Sequence, residues 1–382
     1  MVSDIDKVLF ITNDFGPRTG GIETFVIGLI EHRAFASTIV YTSMQENSQE
    51  YDANWERQFG VKVIRDSSKI LLPTPKVARK VSKLVKAENI NTVAFGAAAP
   101  LGLLAHSIKR AGVVRIVALT HGHEVWWARV FPFNLLIRRI GRGVDSLTYL
   151  GEYTHQMISR ALDQRAKLAM VKIAPGIDTQ HFSPRNSDDL RTSLKLAEKK
   201  VIVCVARLVH RKGQDRLIEA MPEILSAIPN AHLLIVGEGP YRQQLVKRVN
   251  QLKIKDDVTF VGRIGYEQLP EYICAGDLFA MPSRSRFWGL EVEGLGISYL
   301  EASACGLPVI AGNSGGAPDA VDEGNSGVVV SGIDNDAIAK AVVKFLNDPE
   351  ISKTMGGYGR KWVVEKWRWE IWSEAFEQLL KK

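Results

Sequence analysis

The sequence predicts an α/β protein made of two doubly wound, Rossmann-like domains with parallel sheets. Three observations carry this expectation. Short apolar, β-branched runs alternate with amphipathic runs from end to end, which is the pattern of parallel sheets covered on both faces. The 382 residues suit two domains of ordinary size. A polar segment rich in Pro, Asp, Ser and Asn, APGIDTQHFSPRNSDD at 174–189, separates two such series.

In the first half, strands are expected at 7–13, 37–42, 61–65, 92–97, 115–122, 146–151 and 169–176, with helical patterns such as 21–33 and 76–89 between them. In the second half they are expected at 201–207, 232–239, 258–263, 277–283, 307–312 and 327–331. A helix is expected from about Leu295 to Cys305. The Trp-rich tail 361–382 reads as a helix pair whose tryptophans are packing anchors. The uncharged stretch 89–108 is interrupted by Pro100 and glycines, so it reads as a buried strand–helix unit and not as a membrane span.

Composition narrows the function classes. The chain is 46% hydrophobic and 24% charged, as in a folded soluble protein, which excludes a disordered or fibrous one. Its three cysteines show no C-x-x-C spacing, so neither a disulfide framework nor a zinc site is expected, and a reducing, cytoplasmic setting is. MVSDIDKVLF at the start has no basic region and no long apolar core, so no signal peptide is read there. The net charge of +7 is uneven: residues 1–180 hold 23 basic and 16 acidic side chains, and residues 181–382 hold 26 of each. Within 101–142 stand seven Lys or Arg and one acid, Glu124, and 126–142 interleaves aromatics, aliphatics and arginines. That segment suits an interfacial helix on an anionic leaflet, or a core-facing helix with a basic outer face. The basic balance also raises nucleic-acid binding. No recognition motif supports it, and no nucleic-acid partner is expected.

In open α/β sheets, ligands bind beyond the carboxyl ends of the strands, so two such sheets predict a site in a cleft between them. The first strand runs into NDFGPRTGGIE, where Gly21 opens a helix. This is an anion cradle or a tight turn, and it lacks the G-x-G-x-x-G dinucleotide fingerprint. THGHEVWW places His121 at a strand end, where its imidazole either bonds a ligand hydroxyl or is an ordinary satisfied histidine. In ARLVHRKG, Arg207 and Lys212 lie five apart before a helix, an arrangement for a diphosphate or a solvated basic turn. In 282–316, Glu293 and Glu301 flank Gly294, Leu295 and Gly296. Eight residues of helix rise roughly 12 Å, too far for a hydrolase pair, so the carboxylates instead bracket an extended ligand whose phosphates meet the glycine amides. An acid at a helix start also offsets the dipole. No D-x-D-like acidic cluster suits a metal, and no cofactor is expected.

Taken in order, GGIE, HGHE, PGIDTQHFSP, ARLVHRKG, VGEGPYRQQL, VTFVGRI, AGDLFAMPSR and the Glu293/Glu301 set followed by EASACGLPVIAGNSGG resemble the retaining GT-B glycosyltransferases of family 4 over essentially the whole chain. That family includes sucrose synthases and bacterial lipid mannosyltransferases. HGHEVWW, RSRFWGLEVEGLGISYLEASACG and the basic first half are most similar to its actinobacterial sub-family of α-1,6-mannosyltransferases, which use GDP-mannose and a phosphatidylinositol mannoside acceptor.

The resemblance implies an acceptor-side domain over 1–175, a nucleotide-sugar domain over 176–365, and a last helix, 366–382, crossing back to the first. It implies a catalytic set of Arg207, Lys212, His121 and Glu293. Arg207 and Lys212 would hold the donor diphosphate, Glu301 the ribose, and Glu293 with Gly294, Leu295 and Gly296 the donor sugar. Gly21 would meet the distal phosphate, His121 the sugar near C6, Arg263 and Ile264 the base, and Asp14 the acceptor. The expected reaction keeps the donor's anomeric configuration and needs no metal. It would take place at the inner face of the plasma membrane, with the first domain on an anionic lipid surface. A UDP sugar, another lipid or soluble acceptor, or a GT-B epimerase or phosphorylase are the alternatives.

Overall fold

The computed structural model describes residues 7–18, 20–33 and 37–381, so the start 1–6, read above for a signal peptide, lies outside the described residues. The chain forms two compact units. One is Met1–Gly176 with Trp369–Lys382, and the other is Ile177–Arg368.

The first unit holds a seven-stranded parallel sheet of β1 (Val8–Thr12), β2 (Thr38–Ser43), β3 (Lys62–Asp66), β4 (Thr92–Phe95), β5 (Arg115–Ala118), β6 (Ser146–Tyr149) and β7 (Met170–Lys172), in the order β3-β2-β1-β4-β5-β6-β7. The second holds β8 (Lys200–Val205), β9 (Ala231–Val236), β10 (Val258–Gly262), β11 (Leu278–Met281), β12 (Val309–Gly312) and β13 (Gly327–Val330), ordered β10-β9-β8-β11-β12-β13. Every strand expected from the apolar runs is present, and the two Rossmann-like sheets are found. The central strands are buried on both faces, as Leu9, Phe10 and Ile11 in β1 and Val201 to Cys204 in β8 show, while the edge strands β3, β7, β10 and β13 are mostly half-buried. Each order reverses beside its first strand, at β1/β4 and at β8/β11. These switch points are where open sheets leave room for a ligand.

The helices follow from spacing and caps. In Pro75–Glu88, Thr74 accepts a hydrogen bond from the Val77 amide and Pro75 fills the first helical position. Val77, Val81 and Val85 then form one buried stripe, and left-handed Asn89 ends the helix. The helix expected from Leu295 begins at Ile297 instead, because Gly296 adopts φ +88° and can only cap it.

The tryptophan-rich tail is two helices. Pro349–Lys366 belongs to the second unit, where the Ile177 amide donates to the Trp367 carbonyl at 2.7 Å. Trp369–Lys381 belongs to the first unit. The Trp369 ring fills a notch left by Gly28 and Gly176 and stacks on His32, at 5.2 Å between centroids. Phe376 is fully buried beside Phe10. Burying a side chain of that size contributes about 1.5–3 kcal/mol. Among the described residues no helix is long and apolar enough to cross a membrane.

Candidate active site

In the second unit, polar side chains gather beyond the ends of β8 and β11, at the switch point. After β8 the chain turns through His210–Lys212 to Gly213, whose φ of +76° and tight approach to the Pro282 carbonyl admit only glycine. This turn buries Lys212, whose Nζ lies 2.9 Å from Glu293 Oε2. Arg211 Nε stands 3.8 Å from the same oxygen, and its Nη1 is 3.6 Å from Glu291. Arg286 reaches the other Glu291 oxygen at 3.0 Å. An alternating chain of charge therefore runs Lys212, Glu293, Arg211, Glu291, Arg286. The Lys212–Glu293 contact is an ion pair and not an aligned hydrogen bond, so buried Glu293 Oε2 and Arg211 Nε keep unmet hydrogen-bonding capacity. Arg207 is exposed beside this cluster along the chain.

The backbone around Glu293 is held from below. Its amide donates to Ser314 Oγ at 3.1 Å and its carbonyl accepts from the Gly316 amide at 2.8 Å. A Cβ at Gly315 or Gly316 would strike the carbonyls of Glu293 or Gly294. Gly294 and Gly296 then lead into the helix Ile297–Ala304, anchored by buried Tyr299, which donates to the Met281 carbonyl at 2.7 Å. Glu301, one turn along, is partly buried. Loss of hydration pushes its carboxyl up to about 7, against the lowering pull of Lys212. Lys212 thus pairs with Glu293 and acts at longer range on Glu301. Arg284 pairs with Asp215 through two bonds of 2.8 Å, and its amide donates to the Arg211 carbonyl, fixing the Lys212 turn to the end of β11. Arg263 and Ile264 follow β10, Arg263 exposed and Ile264 partly buried.

Between Arg286 and Glu291 the chain makes a tight turn. The two residues exchange backbone hydrogen bonds of 2.9 and 3.2 Å. Phe287, Trp288 and Gly289 have φ values of 48°, 53° and 79°. The left-handed region costs a side-chain-bearing residue on the order of 1–2 kcal/mol, so two aromatics in succession there are a strained arrangement.

In the first unit the corresponding switch point collects Asp14, Gly21 and His121. Asp14 lies just past β1, its amide bonded to Thr12 Oγ1 and its carboxylate 3.5 Å from Arg18. Burial, with Glu23 nearby, pushes its carboxyl up to about 6. Gly21 begins the helix Gly21–Glu31, and a Cβ there would meet nothing within 4 Å, so the helix N-terminus is open to an approaching group. His121 is buried. Its Nε2 lies 2.7 Å from the Gly96 carbonyl, its amide donates to Glu124, and burial holds its pKa down. A neutral ring that donates to Gly96 keeps only Nδ1 for a ligand. Fully buried Glu124 also accepts from the Ala99 amide and lies 3.2 Å from His123. Arg211, Glu291, Ser314, and the Arg284–Asp215 pair were not singled out in the sequence. Arg211 stands within HRKG and Ser314 within SGG, but nothing in the spacing of those motifs shows that they pack on Glu293.

Two parallel sheets of this strand order, each with its polar groups at the carboxyl ends beside the switch point, define the GT-B class of enzymes. The family model described as "Glycosyl transferases group 1" matches residues 186–362. A relative from Mycolicibacterium smegmatis, named GDP-mannose-dependent alpha-(1-6)-phosphatidylinositol monomannoside mannosyltransferase, is 42% identical over 98% of each chain. A relative from Corynebacterium glutamicum, named GDP-mannose-dependent monoacylated alpha-(1-6)-phosphatidylinositol monomannoside mannosyltransferase, is 40% identical over 98% of this chain and 97% of its own. Among solved structures, Anabaena Alr3699/HepE in complex with UDP superposes with a TM-score of 0.81 at 18% identity, covering 98% of this chain and 99% of that one. Sucrose-phosphate synthase from Thermosynechococcus elongatus gives 0.79 at 23% identity, with 98% of each chain covered. These two show the shared fold. The chain belongs to the group 1 glycosyltransferase family, and it is a glycosyltransferase.

Proposed function

We propose that this glycosyltransferase moves mannose from GDP-mannose to a phosphatidylinositol mannoside, with retention of configuration. The observation that carries the reading is the identity of 42% across nearly the whole chain to relatives named for that donor and acceptor. The chemistry of the second unit fits it. Arg207 and Lys212 take the charge that develops on the departing diphosphate, the role of cations placed beside a leaving group. Glu293, held by Ser314 and Gly316, bonds the mannose hydroxyls with the amides of Gly294 to Gly296. Glu301 meets the ribose, and the backbone after β10, at Arg263 and Ile264, meets the base. In the first unit, Gly21 offers an amide to the distal phosphate, His121 faces the sugar through Nδ1, and Asp14 serves the acceptor. The acceptor hydroxyl attacks on the face the nucleotide leaves, and its proton passes to a phosphate oxygen.

The acceptor is a lipid, and the first unit has a surface that suits a membrane. In the helix Phe133–Gly143, Ile137 and Ile140 are buried, while Leu135, Arg138, Arg139 and Arg142 face solvent beside exposed Phe131. Apolar and basic groups on one face fit an anionic leaflet. The protein then works as a peripheral protein on the inner face of the plasma membrane.

The test is product formation from GDP-, UDP- and ADP-sugars with phosphatidylinositol monomannoside in detergent. Mannolipid and GDP are expected from GDP-mannose alone, and turnover is expected to survive EDTA. Arg207→Ala and Lys212→Ala should each lower turnover by about a hundredfold or more, with an unchanged melting temperature for exposed Arg207 and a lower one for Lys212, whose loss leaves Glu293 unpaired. Full activity in both variants would refute the mechanism.

A further inference from the structure

We propose that Trp288 is an acceptor contact, its indole stacking on a pyranose ring of the glycolipid headgroup. Trp288 is 92% exposed, more than any other large apolar side chain among the described residues. It sits at the tip of the left-handed turn that Arg286 and Glu291 close. A strained, solvent-exposed aromatic tip gains nothing for the fold, so its use lies in what it meets. Phe287 is already engaged, with the Arg286 guanidinium 4.7 Å from its ring centroid, and the Trp288 indole is left open.

Two observations choose the occupant. The turn leads directly to Glu293, and the five residues from Trp288 to Glu293 span at most about 17 Å, the reach of a short oligosaccharide. Its base is also bonded into the donor site, because Glu291 joins Arg286 to Arg211, and Arg211 joins Glu293. The second observation is electrostatic. Residues 181–382 hold equal numbers of acidic and basic side chains, so this half carries no net charge toward an anionic leaflet, and the arginines at the base of the turn are paired with Glu291, Glu293 and Asp215. A pyranose face presents a patch of C–H bonds with slight positive charge, and the indole face is negative. The inference rests on the reading of Glu293 as a donor-sugar contact.

The experiment compares wild type, Trp288→Ala and Trp288→Phe with GDP-mannose and phosphatidylinositol monomannoside in detergent micelles. Trp288→Ala is expected to raise the acceptor KM by about tenfold, the effect of one lost ring contact. The donor KM, read at saturating acceptor, should stay unchanged, and Trp288→Phe should restore most of the loss. An unaltered acceptor KM, or a donor KM that rises in step, overturns the assignment. So does weaker sedimentation of Trp288→Ala with vesicles at unchanged acceptor KM, which would give the indole to lipid. If the wild type itself makes no mannolipid, the proposed function falls, and acrylamide quenching then decides the Trp288 assignment. A soluble mannosyl-inositol headgroup that shields wild type but not Trp288→Phe upholds it, and no shielding overturns it.

Discussion

At the scale of single residues, two carboxylates feel one lysine and behave differently. Glu293 meets Lys212 directly, whereas Glu301 is held out of water with only a longer-range pull from it. The folded pKa of Glu301, about 7, lies above the ordinary glutamate value. Its protonated form therefore favours the folded state below the ordinary value, and that contribution is lost as pH rises through about 7. Glu301→Gln should be more stable than wild type at pH 8, by at most about 3 kcal/mol. The difference should close toward pH 5, which melting curves across pH will check. This carboxylate was readable from the spacing in EGLGISYLEA, because a helix opened by glycine places its second turn predictably. The left-handed turn at Trp288 was not, since Phe and Trp carry no signal for positive φ and only Gly289 hints at a turn. The hydrogen bond that ties His121 to Gly96 was equally hidden, because it links the ends of β4 and β5.

At the scale of elements, all the strands were legible because each is a short run carrying apolar residues between turn signals, and the central ones are buried on both faces. The helix start displaced from Leu295 to Ile297 shows the limit of such reading, for it depends on one backbone angle. The seat of the last helix depends on absent side chains. Gly28 lies inside the helix Gly21–Glu31 and faces Trp369, so a Cβ there would enter the indole ring. Alanine at an ordinary helix position gains about 1 kcal/mol over glycine. Here overpacking costs about 1–3 kcal/mol, and the buried ring has little room to move. Gly28→Ala should therefore lower stability to urea, and Trp369→Leu in the same chain should recover part of the loss. A stabilised single variant would show that the helix does not seat there.

At the scale of the whole molecule, the charge is divided by half of the chain, and the basic excess includes the outward face of Phe133–Gly143. Reversing Arg138 and Arg139 to Glu should weaken binding to anionic vesicles by about tenfold or more. Transfer to detergent-dispersed acceptor should be unaffected, and the wild-type binding should decline as salt rises. Sedimentation that ignores both changes would place the lipid contact elsewhere. The route of the chain has a further consequence, for the ribosome. It leaves the first unit after Gly176 and comes back only at Trp369. At about 5–20 residues per second, roughly 10 to 40 s separate the two passages. During that interval the second unit, continuous in sequence, is synthesised while the nascent first unit lacks the helix that covers Phe10. The first unit is thus begun first and completed last. A chain truncated before Trp369 would be released with its second unit whole and an apolar slot in the first, a natural target for chaperones and proteases.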